Sequence, residues 1–125
     1  MTDAADPYDD RLPAIDDEAA NRLLGTARPY TAVVLRAGPN RGTPEGQALL
    51  RPHGIRNMRL RAAGMLRVVV RVTDESDAAG IGIFALDAAE TRRVIENDPA
   101  VAAGVFVAEY HPVLGFPDDG LGDPA

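Results

Sequence analysis

Residues 66–86 read LRVVVRVTDESDAAGIGIFAL, which is two apolar segments joined by a polar one. The first segment, residues 66–72, has the two-residue period of a half-buried strand. Its two faces consist of Leu66, Val68, Val70 and Val72 on one side and Arg67, Val69 and Arg71 on the other. Residues 73–80 are rich in turn-forming side chains, and residues 81–86 return as a second strand. The stretch therefore predicts an antiparallel β-hairpin.

A helix is predicted before this hairpin. Residues 48–64 read ALLRPHGIRNMRLRAAG and end in Gly64, a residue typical of helix C termini. Pro52 fits the first position of the regular helix, where its missing N–H costs nothing. This placement puts His53 in the first turn.

A second helix is predicted after the hairpin. Asp87 and Glu90 have the spacing of a capping box, in which each side chain accepts a hydrogen bond from the other residue's backbone N–H. The predicted inward face of this helix consists of Thr91, Val94 and Ile95. The helix is expected to stop at Asp98, because Pro99 follows and disfavours the helical conformation of the residue before it.

The first and last strands along the chain complete the predicted sheet. Residues 30–36, YTAVVLR, are rich in β-branched residues and are followed by a segment, residues 37–47, that has the composition of a loop. Residues 105–110 alternate, with Phe106, Ala108 and Tyr110 opposite Val105 and Val107. The order β-α-β-β-α-β predicts an α+β, ferredoxin-like fold, with a four-stranded antiparallel sheet and two helices on one face.

The predicted domain spans residues 29–117. Residues 1–28 carry seven acids and three arginines without a sustained apolar period, which predicts a mobile or loosely docked acidic arm. Within the arm, residues 17–25 could form a short helix ending at Gly25, with Asp16 or Asp17 as its cap. Residues 118–125 form a polar C-terminal tail.

Composition excludes several classes of protein. The longest apolar runs are far shorter than the roughly 20 residues that a membrane helix needs, and the acidic N terminus does not resemble a signal peptide. The 125 residues include no cysteine, so a cytoplasmic location without disulfides is expected. A net charge of −6, 5% aromatic residues and the lack of a nucleic-acid motif argue against DNA or RNA as a partner.

Arginines are concentrated in the first half of the domain. Residues 36–71 contain eight arginines and a single acid, Glu45, and the chain contains no lysine. A coding bias toward G and C would explain the use of arginine alone. The functional interpretation is an anion site, because guanidinium groups recognise carboxylates and phosphates by paired hydrogen bonds.

The sheet face away from the helices also needs a partner. Several valines, with Arg67 or Arg71 depending on the strand register, are expected there, and so much apolar surface is rarely left in water. We therefore predict a homodimer that forms through this face and encloses a cavity.

Two segments resemble the YCII-related (YciI-like) family. DPAVAAGVF, residues 98–106, is similar to the family's signature at the end of its second helix. RPHGIRNMRLRAAGML, residues 51–66, is similar to its first helix, with His53 and Gly64 at the family's spacing, and the match covers roughly residues 30–116. The Gly-Pro pair common after the family's second strand is absent here.

The resemblance implies a dimeric α+β barrel whose active site contains a histidine and an aspartate, which map onto His53 and Asp98. Some family members are linked to lyase-type chemistry on aromatic-derived rings, and the wider barrel superfamily includes lactone isomerases. The expected function is therefore that of a small isomerase or lyase without a cofactor or metal, acting on a small anionic cyclic or aromatic-derived molecule. Arg51, Arg56 and Tyr110 are the expected substrate-binding residues.

The chemistry of the two residue types supports the same hypothesis. The positive end of a helix dipole favours the neutral, proton-accepting form of a first-turn histidine. An aspartate bonded to the other ring nitrogen fixes the tautomer and stabilises the cation that forms when a proton is taken up. Such a pair could move a proton next to a carbonyl group.

A second interpretation remains open for each residue. His53 could be a surface histidine, since by helical spacing it shares a side with Asn57 and Leu60 rather than with the apolar Ile55 and Met58. Asp98 could simply terminate a helix. The alternative function is a dimeric module that binds a small molecule or a protein without catalysis.

Overall fold

The computed structural model describes residues 6–124 and contains one four-stranded antiparallel sheet in the order β2-β3-β1-β4. Its strands are β1 (Arg28–Ala37), β2 (Leu66–Arg71), β3 (Ala78–Phe84) and β4 (Phe106–Gly115). Its helices are α1 (Asp17–Leu24), α2 (Pro44–Ala48), α3 (Leu50–Ala62), α4 (Ala88–Glu96) and α5 (Pro99–Ala102), after a short 3₁₀ turn (Asp9–Arg11). The predicted α+β class and antiparallel sheet are confirmed, and the order is compatible with a ferredoxin-like fold.

The core lies between one face of the sheet and helices α3, α4 and α5. The sheet contributes Val33 and Phe84, each only 2% exposed, and the helices contribute Leu60, Ile95 and Ala100. Burial alternates along β1, which is the pattern of a strand with only one face on the core. The opposite face of the sheet carries no helix in the part of the chain that the structure describes.

The ends of α3 and α4 follow the chemistry expected from the sequence. Gly64 has a φ of 77° and closes α3, because the Met65 and Gly64 amides donate to the Leu60 and Arg61 carbonyls. At the start of α4, the Asp87 carboxylate accepts from the Glu90 amide at 2.8 Å. Both helix boundaries predicted at these residues are confirmed.

The loop between β1 and α3 differs from the prediction. Residues 44–48 form α2, which Thr43 caps and which Pro44 begins. Helix α3 then starts at Leu50, so Pro52 occupies the third helical position rather than the first. A proline is tolerated there because none of the first four N–H groups of a helix has a partner within it. The first amide of α3 with a partner inside the helix is that of His53, which follows Pro52 and donates to the Leu49 carbonyl at 3.1 Å.

The strand alternation predicted for residues 66–72 is wrong at Arg67. The register of β2 against β3 shifts between Leu66 and Val68, so these two side chains lie on opposite faces of the sheet. Leu66 is buried in the core, whereas Val68 and Val70 lie opposite Ile83 and Ile81 on the helix-free face. The valines of this face are as expected, but neither Arg67 nor Arg71 is the charged residue beside them. The helix-free face instead carries Arg36 of β1 together with Glu109 and His111 of β4.

Strands β3 and β4 also have different limits from those predicted. Strand β3 begins at Ala78, within the segment expected to be a turn, and ends at Phe84. Strand β4 continues to Gly115 through Pro112. A proline fits there because β4 is an edge strand and one side of its backbone needs no partner.

The N-terminal segment contains the helix expected from its sequence. Asp16 caps α1 by accepting from the Ala19 amide at 2.7 Å, and Gly25 follows its last residue. No residue of α1 is buried. The first five residues of the predicted arm lie outside the described residues, and its mobility stays a prediction. Between residues 6 and 124, no helix has both the length and the apolar character needed to cross a membrane.

Candidate acid-base site

His53 and Asp98 are in direct contact. The Nδ1 atom of His53 lies 2.8 Å from Oδ2 of Asp98, although 45 residues separate the two in the chain. The Asp98 side chain is 2% exposed and the His53 side chain 14% exposed. The contact is therefore a largely buried hydrogen bond. It joins a histidine at the fourth position of α3 to the carboxylate of the residue that caps α5.

Asp98 holds its position by capping a helix. Its Oδ1 atom accepts from the backbone N–H groups of Ala100 at 2.8 Å and Val101 at 3.3 Å, while Pro99 occupies the first position of α5. Helix α4 has already ended at Glu96, so Asp98 begins the next helix rather than terminating the previous one. One carboxylate oxygen is thus fixed by the backbone, and the other is directed at His53.

The second nitrogen of His53 accepts a longer contact. Nε2 lies 3.3 Å from Nδ2 of Asn57, one helical turn further along α3. Since an ionised Asp98 can only accept, the proton of a neutral His53 ring lies on Nδ1, and Nε2 carries the lone pair. The ring also packs on Phe106 at 4.9 Å between centroids. The tautomer and the orientation of the ring are therefore both determined by its neighbours.

Opposing effects act on the ionisation of Asp98. Burial is the largest influence and raises the pKa of this carboxyl. The hydrogen bond and positive charge of His53, with the Ala100 and Val101 amides, together outweigh burial and hold the pKa of Asp98 below its usual value of 3.8. Asp98 is therefore ionised at neutral pH and available as an acceptor for His53.

The expected substrate-binding residues do not lie together. Arg56 is the nearest cation to the pair, with NH1 3.8 Å from Oδ2 of Asp98, and it lines a surface cleft with Arg51. Neither His53 nor Asp98 lines this cleft. Tyr110 does not line this cleft. Its ring packs against the core, and the Arg92 guanidinium lies over the ring at 4.3 Å from its centre. Burial raises the pKa of Tyr110, although the charge of Arg92 opposes this.

Three neighbours of the pair were not predicted as site residues. Asn57 could have been found from its spacing, since a residue four positions after His53 lies on the same side of the helix. Phe106 and Arg41 reach the site only through tertiary structure, and the Arg41 guanidinium lies 5.8 Å from the centre of the Phe106 ring. Arg41 and His53 therefore approach the same aromatic ring.

The loop that carries Arg41 is fastened next to α5. The Asn40 side chain donates to the Ala103 carbonyl at 2.6 Å, and the Asn40 backbone N–H donates to the Gly104 carbonyl. At Gly38, a Cβ atom would meet the Gly104 oxygen at 2.3 Å, so the two backbones touch. The position of Arg41 relative to the site is thus set by backbone packing.

Comparisons with known proteins do not add to this geometry. Neither the scan against family models nor the search of curated proteins finds a match to the chain. Between residues 6 and 124, no group of three or more histidine, cysteine, aspartate or glutamate side chains is placed to hold a metal ion.

Proposed function

We propose that His53 and Asp98 form the acid-base pair of a small isomerase or lyase that requires no cofactor. The observation that carries this proposal is the 2.8 Å bond between His53 Nδ1 and Asp98 Oδ2, made by a carboxylate that is 2% exposed. A structural cap needs only the Oδ1 contacts to Ala100 and Val101. The second oxygen, Oδ2, bonds to the His53 ring and orients it, which is the arrangement found in general acid-base catalysis.

The proposed reaction is a proton transfer on a small carbonyl compound. Nε2 of His53 takes a proton from a carbon next to the carbonyl, and the resulting imidazolium is stabilised by ionised Asp98 through Nδ1. The same Nε2 returns the proton to another carbon in an isomerisation, or to the leaving group in an elimination. Asn57 moves from Nε2 when the substrate binds and can donate to a developing enolate oxygen.

The proposed substrate is a small anion with a ring. The Arg41 guanidinium lies 5.8 Å from the centre of the Phe106 ring, on which His53 also packs, and can hold a carboxylate by paired hydrogen bonds. Phe106 offers an apolar surface on which a cyclic or aromatic-derived group could pack. The resemblance of residues 98–106 and 51–66 to the YciI-like family supports the same class of substrate and reaction.

The test of this function is proton exchange in heavy water. A pool of cellular metabolites is incubated in D₂O with the native protein, with His53→Gln or with His111→Gln, and is then analysed by mass spectrometry. His111 is the control because it is the other histidine of the chain and its ring lies beside Glu109 rather than Asp98. We expect a small set of anionic compounds to gain deuterium or to interconvert with the native protein and His111→Gln, but not with folded His53→Gln.

A binding module is the second candidate function. It is favoured by the contact of Asn57 with Nε2, since a histidine with both nitrogens occupied is a structural element unless one partner leaves. If no metabolite is altered by the native protein, or if His53→Gln alters the same compounds at the same rate, the pair is structural and this second function takes its place.

We also propose that the protein is a homodimer. The helix-free face of the sheet presents a continuous group of partly exposed apolar side chains, here called the open face. Its apolar members are Tyr30, Ala32, Val34, Val68, Val70, Ala78, Ile81, Ile83, Val107 and Val113. Exposed apolar patches of this kind mark interfaces.

A second copy is the proposed occupant of the open face. Arg36 of β1 pairs within the chain with Glu109 of the adjacent strand β4 and, at 3.0 Å, with Asp77, so the charge of Arg36 is already compensated. An isologous interface matches each patch with itself, so the apolar side chains of one copy would cover those of the other. A stable interface of this type buries about 800 Å² on each partner.

The dimer is tested by a charge placed on the open face. Ile81 is 39% exposed and Ile55, on α3, is 50% exposed, so glutamate at either position is compatible with the folded monomer. We expect sedimentation to show a dimer for the native protein and for Ile55→Glu, and a monomer for Ile81→Glu. A monomeric native protein would refute the homodimer.

A further inference from the structure

The cleft beside α3 is distinct from the catalytic side of His53. It has a volume of about 590 Å³ and lies between α3 and the start of α5. Its lining residues are Arg51, Pro52, Ile55, Arg56, Arg59 and Pro99. At 100° per residue around a helix, Arg56 and Asn57 lie on opposite sides of His53. The cleft is therefore on the side of His53 that faces Asp98, away from Nε2.

The charge of the cleft is almost uncompensated. Of its three arginines, only Arg56 lies within 4.0 Å of a carboxylate among residues 6–124, and that carboxylate is Asp98 at 3.8 Å. Three guanidinium groups on successive turns of one helix repel one another unless an anion lies between them. The arrangement is that of a site for more than one negative charge.

Arg56 gives a second indication. Its NH1 atom is buried and makes no hydrogen bond to an acceptor among residues 6–124, where the Asp98 Oδ2 atom, 3.8 Å away, is too distant for one. Buried donors are nearly always bonded, because a donor removed from water without an acceptor costs free energy. An oxyanion in the cleft can turn the Arg56 guanidinium, which lines it, out of this unbonded position and accept from its nitrogens.

The remaining lining residues define the rest of the ligand. Pro52, Ile55 and Pro99 offer no polar side-chain group, and Ile55 is 50% exposed. A ligand that covers them carries a compact apolar part next to its charged groups. We propose that this cleft binds a small dianion, a phosphate monoester or a dicarboxylate with an apolar portion, through Arg51, Arg56 and Arg59. This binding does not depend on catalysis by His53.

The test is an NMR titration of the amide resonances at constant ionic strength. Phenyl phosphate and succinate are the two probes, and chloride is the reference anion. We expect saturable shifts confined to α3 and the start of α5 with at least one dianion, and none with chloride. The tighter of the two probes identifies whether phosphate or carboxylate is preferred.

Matched arginine variants separate a defined site from general attraction. Arg61 is the control, because it lies on α3 outside the cleft, with NH1 near the Met58 sulfur at 3.5 Å. Arg51→Gln and Arg59→Gln should each weaken binding about tenfold or more, as expected for loss of a charge-assisted hydrogen bond. Arg61→Gln should leave binding within about twofold. Equal weakening by all three variants, or shifts without saturation, would overturn the proposal, whatever the activity of His53.

Discussion

Replacement of Asp98 separates its capping role from its role beside His53. Asp98→Ala removes three accepted hydrogen bonds, from Ala100, Val101 and His53. Loss of an N-cap costs about 0.5–2 kcal/mol, and a buried donor left without an acceptor costs about 1–3 kcal/mol. Because the Asp98 side chain is 2% exposed, water cannot replace these bonds. We expect Asp98→Ala to lower the free energy of unfolding by about 1.5–5 kcal/mol.

Two variants make the comparison specific. Asp87→Ala removes a cap of the same type at α4, where a single amide bond at 2.8 Å is exposed, and should cost only about 0.5–2 kcal/mol. Asp98→Asn can keep the cap through its amide oxygen but presents a donor to His53, so it should cost about 1–3 kcal/mol. Urea unfolding followed by circular dichroism at one protein concentration measures all three. A cost of Asp98→Ala no greater than that of Asp87→Ala would refute the contribution of the His53 contact.

The pH dependence of the same measurement has a defined sign. The pKa of Asp98 is lower in the folded protein than its ordinary value of 3.8, so the unfolded chain binds the proton more tightly. The stabilisation is therefore complete above the unfolded pKa and is lost as the pH falls through the folded pKa. The stability difference between the native protein and Asp98→Asn should shrink as the pH falls into the acid range through the folded pKa of Asp98. A difference that grows in acid would contradict this sign.

Three further substitutions test the packing around the site. Gly54→Ala should raise the free energy of unfolding by about 0.5–1 kcal/mol, because Gly54 lies inside α3 with open space at its Cβ position. Gly38→Ala should lower it by more than about 1 kcal/mol, since its Cβ would meet the Gly104 oxygen at 2.3 Å. Thr91→Val should cost about 1 kcal/mol, because the buried Thr91 hydroxyl donates to the Asp87 carbonyl at 2.7 Å. Thermal unfolding measures each change, and the opposite sign in any of them would contradict the packing described at that residue.

Most of the fold could be predicted from the sequence, because its signals are local. Alternation of apolar residues predicts β2 and β4, apolar and β-branched composition predicts β1 and β3, and Gly64 and Asp87 mark helix ends through the capping chemistry that these residues favour. The bulge at Arg67 could not be predicted, because the register of β2 is set by its pairing with β3 and not by its own pattern.

The orientation of α3 shows where local reasoning is insufficient. Ile55 and Met58 are 50% and 48% exposed, while Leu60 and His53 face inward. The apolar residues Ile55 and Met58 would be expected to face the core, and this would place His53 on the surface. The helix instead buries the other side. His53 faces inward because it bonds to Asp98, and the packing of α5 on α3 brings Asp98 next to His53.

The candidate site could be predicted only in part, because tertiary packing rather than local sequence brings most of its residues together. The motif resemblance drew attention to His53 and Asp98, and the structure brings them into contact. Tyr110 is a predicted substrate-binding residue because its hydroxyl could reach a cavity, but in the structure its ring lies beside Arg92. Arg41 and Phe106 belong to a loop and a strand whose proximity depends on tertiary contacts alone.

The tautomer of the His53 ring tests the central claim most directly. Only His53 and His111 contribute histidine signals, so ring nitrogen NMR at neutral pH can distinguish them with one His111→Gln spectrum. We expect any neutral His53 to carry its proton on Nδ1 in the native protein, and Asp98→Asn to shift this proton toward Nε2. A neutral ring protonated on Nε2 in the native protein, or the same tautomer in both proteins, would contradict an orienting role for Asp98.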